Sequence, residues 1–101
     1  MSKDIHTEAV DALFEAILSL ENKDECYRFF GDVCTINELL SLSQRFEVAR
    51  MLSESRTYQD IADKTGASTA TISRVNRSLN YGNDGYEIVL KRLGTEEPGP
   101  Q

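Results

Sequence analysis

Residues 58–77 of this chain read YQDIADKTGASTATISRVNR, and this stretch decides the fold. Its landmarks are a small residue, Ala62, then Gly66 four positions later and Ile72 six positions further on. Two helices that cross steeply through a short turn need a small side chain at the crossing and a residue that can leave the right-handed helix. Ala62 and Gly66 meet these needs, so the spacing predicts a helix-turn-helix over about residues 57–79.

Capping residues and apolar spacing support the same pair of helices. Thr57 and Ser68 stand where the N-caps of the first and second helix are expected. The inward positions are apolar, namely Ile61, Ile72, Val75 and Leu79. The outward positions of the second helix are Ser68, Thr69, Ala70, Ser73, Arg74 and Arg77. A polar, basic face of this kind is what a recognition helix presents to the major groove of DNA.

The sequence before the motif opens with an amphipathic helix. Its apolar residues recur at every third or fourth position, at Val10, Leu13, Phe14, Ile17 and Leu18. This spacing predicts a helix over residues 7–20, with Thr7 as its N-cap. A second helix is expected over residues 24–34. It carries both cysteines, Cys26 and Cys34, which the pattern places among core residues rather than in a disulfide.

A third helix leads into the motif. Thr35 and Glu38 have the spacing of a capping box, in which each side chain accepts a hydrogen bond from the other residue's backbone N–H. We expect this helix to continue to about Glu54, although Ser41 and Ser43 could divide it. Its apolar face is expected at Phe46, Ala49 and Leu52.

The sequence after the motif is short. Residues 80–85, NYGNDG, form a run of turn-favouring residues, and apolar positions from Tyr86 to Leu93 predict a final short helix. Residues 94–101 lack apolar side chains apart from prolines and are expected to form a disordered tail. The prediction is therefore an all-α protein of about six helices, folded as one domain over residues 1–93.

Composition bounds the classes of function. The 101-residue chain has a net charge of −6, and the acidic groups are concentrated outside the motif. Residues 1–34 hold eight acidic and three basic groups, whereas residues 58–79 hold two acidic and three basic groups. A single histidine, His6, and the absence of a CxxC motif leave no metal or cofactor to assign. No Ser/His/Asp or Cys/His set indicates an enzyme. With no secretory signal and no apolar stretch near the ~18 residues of a membrane span, we expect a soluble, cytoplasmic protein.

From about Leu39 to Leu79 the chain resembles the Trp repressor, and over its whole length it resembles the Trp-repressor-related proteins of the YerC/YecD type. The resemblance rests on Gln59-Asp-Ile-Ala, on the run from Gly66 to Arg74, and on Asn76-Arg-Ser-Leu79. It implies a bacterial transcription regulator that forms an intertwined homodimer and binds double-stranded DNA. Two recognition helices would then lie about one DNA turn apart.

The resemblance also implies which residues contact DNA. Base edges would be approached by Thr69, Ala70 and Ser73, and phosphates by Thr71 together with Lys64 or Ser68. Arg74 and Arg77 lie on the same outward face. The repressor has a base-contacting arginine where this chain has Gln59, and glutamine pairs with adenine instead of guanine. A different operator sequence is therefore implied.

The ligand pocket that the resemblance implies is altered. The repressor holds tryptophan between two arginines and against a glycine. Arg74 matches one arginine, but Gln44 stands at the other arginine position and Val75 at the glycine position. The β-branched side chain of Val75 would occupy the space of the indole ring. We therefore expect that tryptophan is not the effector, and the sequence identifies no other small-molecule effector.

Two functions fit these observations. The first is a sequence-specific DNA-binding regulator, most simply a repressor. The alternative is a protein-interaction or assembly module that keeps the helix-turn-helix packing without binding DNA, which the acidic sequence outside the motif favours. Binding to DNA fragments that weakens with salt would separate the two.

Overall fold

The computed structural model describes residues 4–94, and six helices form in that part of the chain. They are α1 (Glu8–Leu18), α2 (Lys23–Val33), α3 (Ile36–Ser53), α4 (Tyr58–Thr65), α5 (Thr69–Tyr81) and α6 (Gly85–Leu93). Because the described residues contain no strand, the all-α prediction is confirmed. No helix within them is long and apolar enough to cross a membrane. Apart from Gly94, the predicted tail lies outside the described residues.

The helices begin where their capping residues predict. The hydroxyl of Thr7 accepts the N–H of Val10, the third residue of α1, and so caps that helix. The capping box of α3 is complete, since the N–H of Thr35 donates to Glu38 Oε1 at 2.8 Å and the N–H of Glu38 donates to Thr35 Oγ1 at 3.1 Å. After this start α3 continues unbroken through Ser41 and Ser43, so neither serine divides it.

The chain forms two compact units, which meet in sequence between Leu39 and Leu40. The first unit contains α1, α2 and the first residues of α3, and none of its described residues is buried. The apolar stripe of α1 is largely exposed, with Phe14 at 50% and Leu18 at 84%. Within a single chain this stripe is therefore uncovered. The single domain expected over residues 1–93 stays a prediction.

The second unit has a buried core. Its main buried cluster comes from α3, α4, α5 and the turn between the last two, namely Val48, Ala49, Met51, Ile61, Ala67, Ile72 and Val75. Leu90 of α6 is buried as well. The buried face of α3 differs from the predicted one, because Val48 and Met51 are buried whereas Phe46 and Leu52 are only half-buried. Leu79, expected in the core, is also half-buried. The core thus centres on the packing of α3 against the helix-turn-helix.

The helix α5 extends further than the sequence predicts. Asn80 and Tyr81 were expected in a turn but are helical, and the turn is limited to residues 82–84. Asn80 Nδ2 donates to the carbonyl oxygen of Asn76 at 2.9 Å, so this side chain bonds within the helix instead of starting a turn. Gly82 then leaves the helical conformation, with φ −90° and ψ −143°, and ends α5.

Candidate nucleic-acid interface

The turn between α4 and α5 is the structural centre of the site. Gly66 adopts the left-handed conformation, with φ 74°, and its N–H donates to the carbonyl oxygen of Ala62 at 2.9 Å. Thr65 Oγ1 donates to the carbonyl oxygen of Ile61 at 2.7 Å and accepts the N–H of Ala67 at 3.1 Å. The half-buried Ala62 packs against the core. The sequence-predicted roles of Ala62 and Gly66 are confirmed, and the turn is held by its own hydrogen bonds.

A side chain from α3 braces this turn. Gln44 Nε2 donates to the carbonyl oxygen of Thr65 at 3.1 Å, although the two residues are 21 positions apart. The other side-chain hydrogen bonds within residues 4–94 are local in sequence. Because Thr65 also bonds on both sides of the turn, Gln44 links α3 to the whole connection between α4 and α5.

The residues predicted for an effector pocket have other surroundings. Gln44 uses its amide on Thr65, Val75 is 2% exposed within the core, and Arg74 is exposed. A cavity of about 330 Å³ lies elsewhere, lined by Ser78, Gly82, Asn83, Gly85 and Tyr86, and none of the three residues lines it. The side chain of Val75 thus lies in the core, and the expectation that it takes the place of an indole ring stays a prediction.

The first turn of α5 is capped by hydroxyl groups. Ser68 Oγ accepts the N–H of Thr71 at 3.1 Å and donates to Thr71 Oγ1 at 3.1 Å. Ser68 is exposed, whereas Thr71 is half-buried. Beyond the cap, the side chains of Thr69, Ala70, Ser73, Arg74 and Arg77 are exposed, and we call these five residues the outer face of α5. The structure therefore places all the outward residues that the sequence predicts on one accessible side of this helix.

Two arginines give the outer face of α5 its charge. The helix contains Arg74 and Arg77 and no acidic residue. Within residues 4–94 neither guanidinium has an ion-pair partner. By contrast, Arg50 bonds Glu54 at 2.6 Å and also contacts Glu47, so its charge is used locally. The outer face of α5 thus carries two positive charges that are open to an external anion.

Two acidic groups, Glu47 on α3 and Asp60 on α4, are matched by nearby cations. The guanidinium of Arg50 donates a hydrogen bond that holds the pKa of Glu47 below its ordinary value, and Glu47 in turn raises the pKa of Arg50. The hydrogen bond from Arg56, at 2.8 Å, lowers the pKa of Asp60, and Lys64 adds a weaker attraction from 3.9 Å. These carboxylates are therefore ionised and locally compensated near neutral pH.

Gln59 and Lys64, the two site residues predicted on α4, are both exposed. Gln59 Nε2 donates to Asp63 Oδ1 at 2.9 Å, one helical turn along. Sequence reasoning missed Asp63, although its i,i+4 spacing from Gln59 is visible in the sequence. The sequence contains no comparable spacing that would predict the contact between Gln44 and Thr65. Within residues 4–94, no group of three or more His, Cys, Asp or Glu side chains could hold a metal ion.

A short helix, a left-handed glycine turn and a capped second helix with an exposed basic face define a helix-turn-helix protein. The chain belongs to the Trp repressor family, because the family model described as Trp repressor protein matches residues 8–94. The family resemblance drawn from the sequence is therefore confirmed.

Relatives agree with this assignment. The uncharacterized protein YerC of Bacillus subtilis (strain 168) is 64% identical over 88 residues, which cover 87% of this chain and 85% of YerC. A solved TrpR-like protein from Eubacterium eligens is 73% identical, with a TM-score of 0.90 and coverage of 93% of this chain and 97% of its own. A solved Staphylococcus aureus protein, provisionally described as a Trp repressor, is 54% identical, with a TM-score of 0.89 and coverage of 93% and 94%.

Proposed function

We propose that this protein is a sequence-specific DNA-binding transcription regulator of the repressor type, which reads the major groove with α5. The observation that carries the proposal is the outer face of α5, which combines small polar side chains with Arg74 and Arg77. Both guanidiniums lack an ion-pair partner within residues 4–94, and α5 itself has no carboxylate. Unpaired arginines on such a helix suit both phosphate contacts and pairing with base edges.

The contacts divide by chemistry. Base edges are assigned to Gln59 and to three residues at the start of the outer face of α5, Thr69, Ala70 and Ser73. Phosphate contacts are assigned to Ser68, Thr71 and Lys64. Lys64 is loosely held, because its Nζ lies 3.9 Å from Asp60 and its side chain is 57% exposed, so a phosphate can compete for it.

A homodimer is the proposed assembly. The helices α1 and α2 have no buried residue, and their apolar side chains include Phe14 at 50%, Leu18 at 84% and Tyr27 at 70% exposure. Apolar stripes on amphipathic helices need a partner surface, and a second copy of the chain supplies a matching one. Light scattering is expected to give the mass of two 11.4-kDa chains. A monomer at micromolar concentration would contradict this assembly.

The proposed regulator does not respond to tryptophan. Val75 is part of the core and the Gln44 amide is bonded to Thr65, so neither residue offers the contacts of a tryptophan pocket. Calorimetry with L-tryptophan should give no saturable heat, and DNA affinity should be the same with and without it. Saturable binding, or a tryptophan-dependent change in DNA affinity, would overturn this part of the proposal.

The test of DNA binding is fluorescence anisotropy against genomic fragments at several salt concentrations. Affinity should fall as salt rises, because phosphate contacts release counterions. Arg74→Ala or Arg77→Ala should weaken specific binding by about 1 to 3 kcal/mol where the arginine reads a base, or lower the salt slope by about 1 where it meets a phosphate. Arg92→Ala removes an exposed charge on α6 and serves as the control.

The same experiment separates the DNA-binding regulator from the alternative, a protein-interaction module. If no fragment shows salt-dependent binding, the regulator proposal fails and a protein-interaction module becomes the better account of the fold. If the fragments bind but all three arginine variants behave alike, DNA binding stands and the outer face of α5 is the wrong surface.

A further inference from the structure

A carboxylate on the solvent side of α4 needs an explanation if that side meets DNA. Asp63 is exposed, and within residues 4–94 it has no cationic partner. Its neighbour Asp60 is different, since it is bonded to Arg56 and lies close to Lys64. An uncompensated carboxylate repels the phosphate backbone and so lowers the affinity for DNA of every sequence.

Asp63 holds the side chain of Gln59 in one orientation. Gln59 Nε2 lies 2.9 Å from Asp63 Oδ1. A carboxylate can only accept hydrogen bonds, so the nitrogen of the Gln59 amide has to face Asp63. The oxygen Oε1 then points away from the carboxylate. Within residues 4–94 the Gln59 amide has no other hydrogen-bond partner, so it still offers one N–H donor and the acceptor Oε1.

We propose that Asp63 is a positioning residue that presents the Gln59 amide to an adenine, and thereby sets specificity at one position of the DNA site. This inference rests on the proposed DNA-binding function. Adenine displays its N7 acceptor beside its N6 donor in the major groove, and the free N–H and Oε1 of Gln59 match that pair.

The proposed role explains why a repulsive charge is present. A free glutamine side chain loses rotamer freedom when it binds a base, and a hydrogen bond that exists beforehand removes part of that loss. The repulsion between Asp63 and the phosphates acts on every DNA sequence, whereas the orientation of Gln59 helps only the binding of adenine. Asp63 therefore lowers the affinity for DNA in general and raises the preference for adenine over the other bases.

The test is in vitro selection from a random duplex library by the full chain. The wild type is compared with Gln59→Ala, Asp63→Ala and Asp63→Asn. Asp63→Asn removes the charge but keeps an oxygen that can accept the Gln59 N–H. Asp32→Ala is the matched control, because it removes an exposed carboxylate from α2, outside the motif. Binding constants are then measured for the selected site and for sites with the adenine replaced.

The wild type is expected to select a site with a preferred adenine in each half. Gln59→Ala should abolish this preference, which for a bidentate amide pair is roughly five- to 100-fold. Asp63→Ala should reduce the preference roughly two- to tenfold while it tightens binding to all duplexes. Asp63→Asn should also bind more tightly but keep only part of the preference, because its amide can accept from Gln59 Nε2 or donate to Gln59 Oε1. Asp32→Ala should leave the preference unchanged.

The outcomes separate this inference from the function on which it rests. No enriched motif with any of the proteins would contradict DNA binding itself. A palindrome whose adenine preference survives Gln59→Ala would support DNA binding and overturn the role of Gln59. No loss of the adenine preference in Asp63→Ala would overturn the positioning role of Asp63.

Discussion

The side-chain amide of Gln44, on α3, donates a hydrogen bond to the carbonyl oxygen of Thr65 at 3.1 Å. Thr65 is the last residue of α4, and the final carbonyls of a helix have no partner within the helix. Gln44 therefore satisfies a group that would otherwise need water or another cap. The bond connects a core helix directly to the end of α4, where the turn to α5 begins.

Gln44→Ala is expected to lower the free energy of unfolding by about 1 kcal/mol, because one half-buried hydrogen bond is lost and the Thr65 carbonyl keeps no protein partner. Urea unfolding measures this change. Gln59→Ala is the control, since its hydrogen bond is exposed and local, and it should change stability by less than about 0.5 kcal/mol. Equal stability of both variants would show that the brace from α3 contributes nothing.

Gly66→Ala tests the turn. An added Cβ would meet no atom within 4 Å, so the penalty comes only from the left-handed conformation at φ 74°. We expect a loss of about 1 kcal/mol or more, seen as a lower melting temperature. Gly66→Asn should lose less, because asparagine tolerates this conformation better than alanine. A Gly66→Ala protein that melts like the wild type would place the strain of the turn elsewhere.

Ser55→Gly should have the opposite effect. Ser55 follows the end of α3 with φ 63°, and the next N–H, from Arg56, donates back to the carbonyl oxygen of Met51 at 3.1 Å. This is the geometry of a left-handed helix end, where glycine is preferred. Thermal melting should show a gain of about 0.5 to 1 kcal/mol. Ser53→Gly, at the last helical residue of α3, should be destabilising. A gain in stability from Ser53→Gly would contradict the explanation given for Ser55.

Acid should destabilise the α3–α4 segment. Hydrogen bonds from arginines hold the pKa of Glu47 below its ordinary 4.5 and that of Asp60 below its ordinary 3.8. A carboxylate with a lowered pKa in the folded state contributes stability above its unfolded pKa and loses it as the pH falls through the folded value. The melting temperature should therefore drop between about pH 5 and pH 2.

Glu47→Gln isolates the contribution of one pair. This variant should be less stable than the wild type at pH 7, because Arg50 loses a charged partner. The difference in melting temperature between the two proteins should become smaller in acid. Glu15→Gln, on the exposed side of α1, removes a carboxylate that has no ion-pair partner within residues 4–94. If the difference in melting temperature between Glu47→Gln and the wild type stays constant with pH, the pair of Glu47 and Arg50 adds no pH-dependent stability.

Local signals in the sequence predicted much of the fold. Thr57 and Ser68 start α4 and α5 as expected, because a capping hydroxyl satisfies N–H groups only three residues away. Gly66 ends α4 in the left-handed conformation that its position in the motif predicted. Each of these features depends on residues that are close together in the sequence, so a short stretch of sequence is enough to predict it.

Features that depend on distant residues were not predicted. The apolar residues of α3 surround the helix, so periodicity could not show that Val48 and Met51, rather than Phe46, are buried. The bond from Gln44 to Thr65 joins residues 21 positions apart and requires the packed structure. For the candidate site, the exposure of the outward residues followed from helix geometry. The absence of an ion-pair partner for Arg74 within residues 4–94 followed only from the structure.

The most direct test of the central claim, that α5 reads specific DNA, is chromatin immunoprecipitation across the genome of the source cell. The tagged wild type is compared with an Arg74→Ala/Arg77→Ala double variant and with Arg92→Ala. We expect a recurrent palindrome with half-sites about 10 bp apart, lost in the double variant and kept in Arg92→Ala. Recovery of no recurrent motif by the wild type, or of the same motif by the double variant, would contradict the claim.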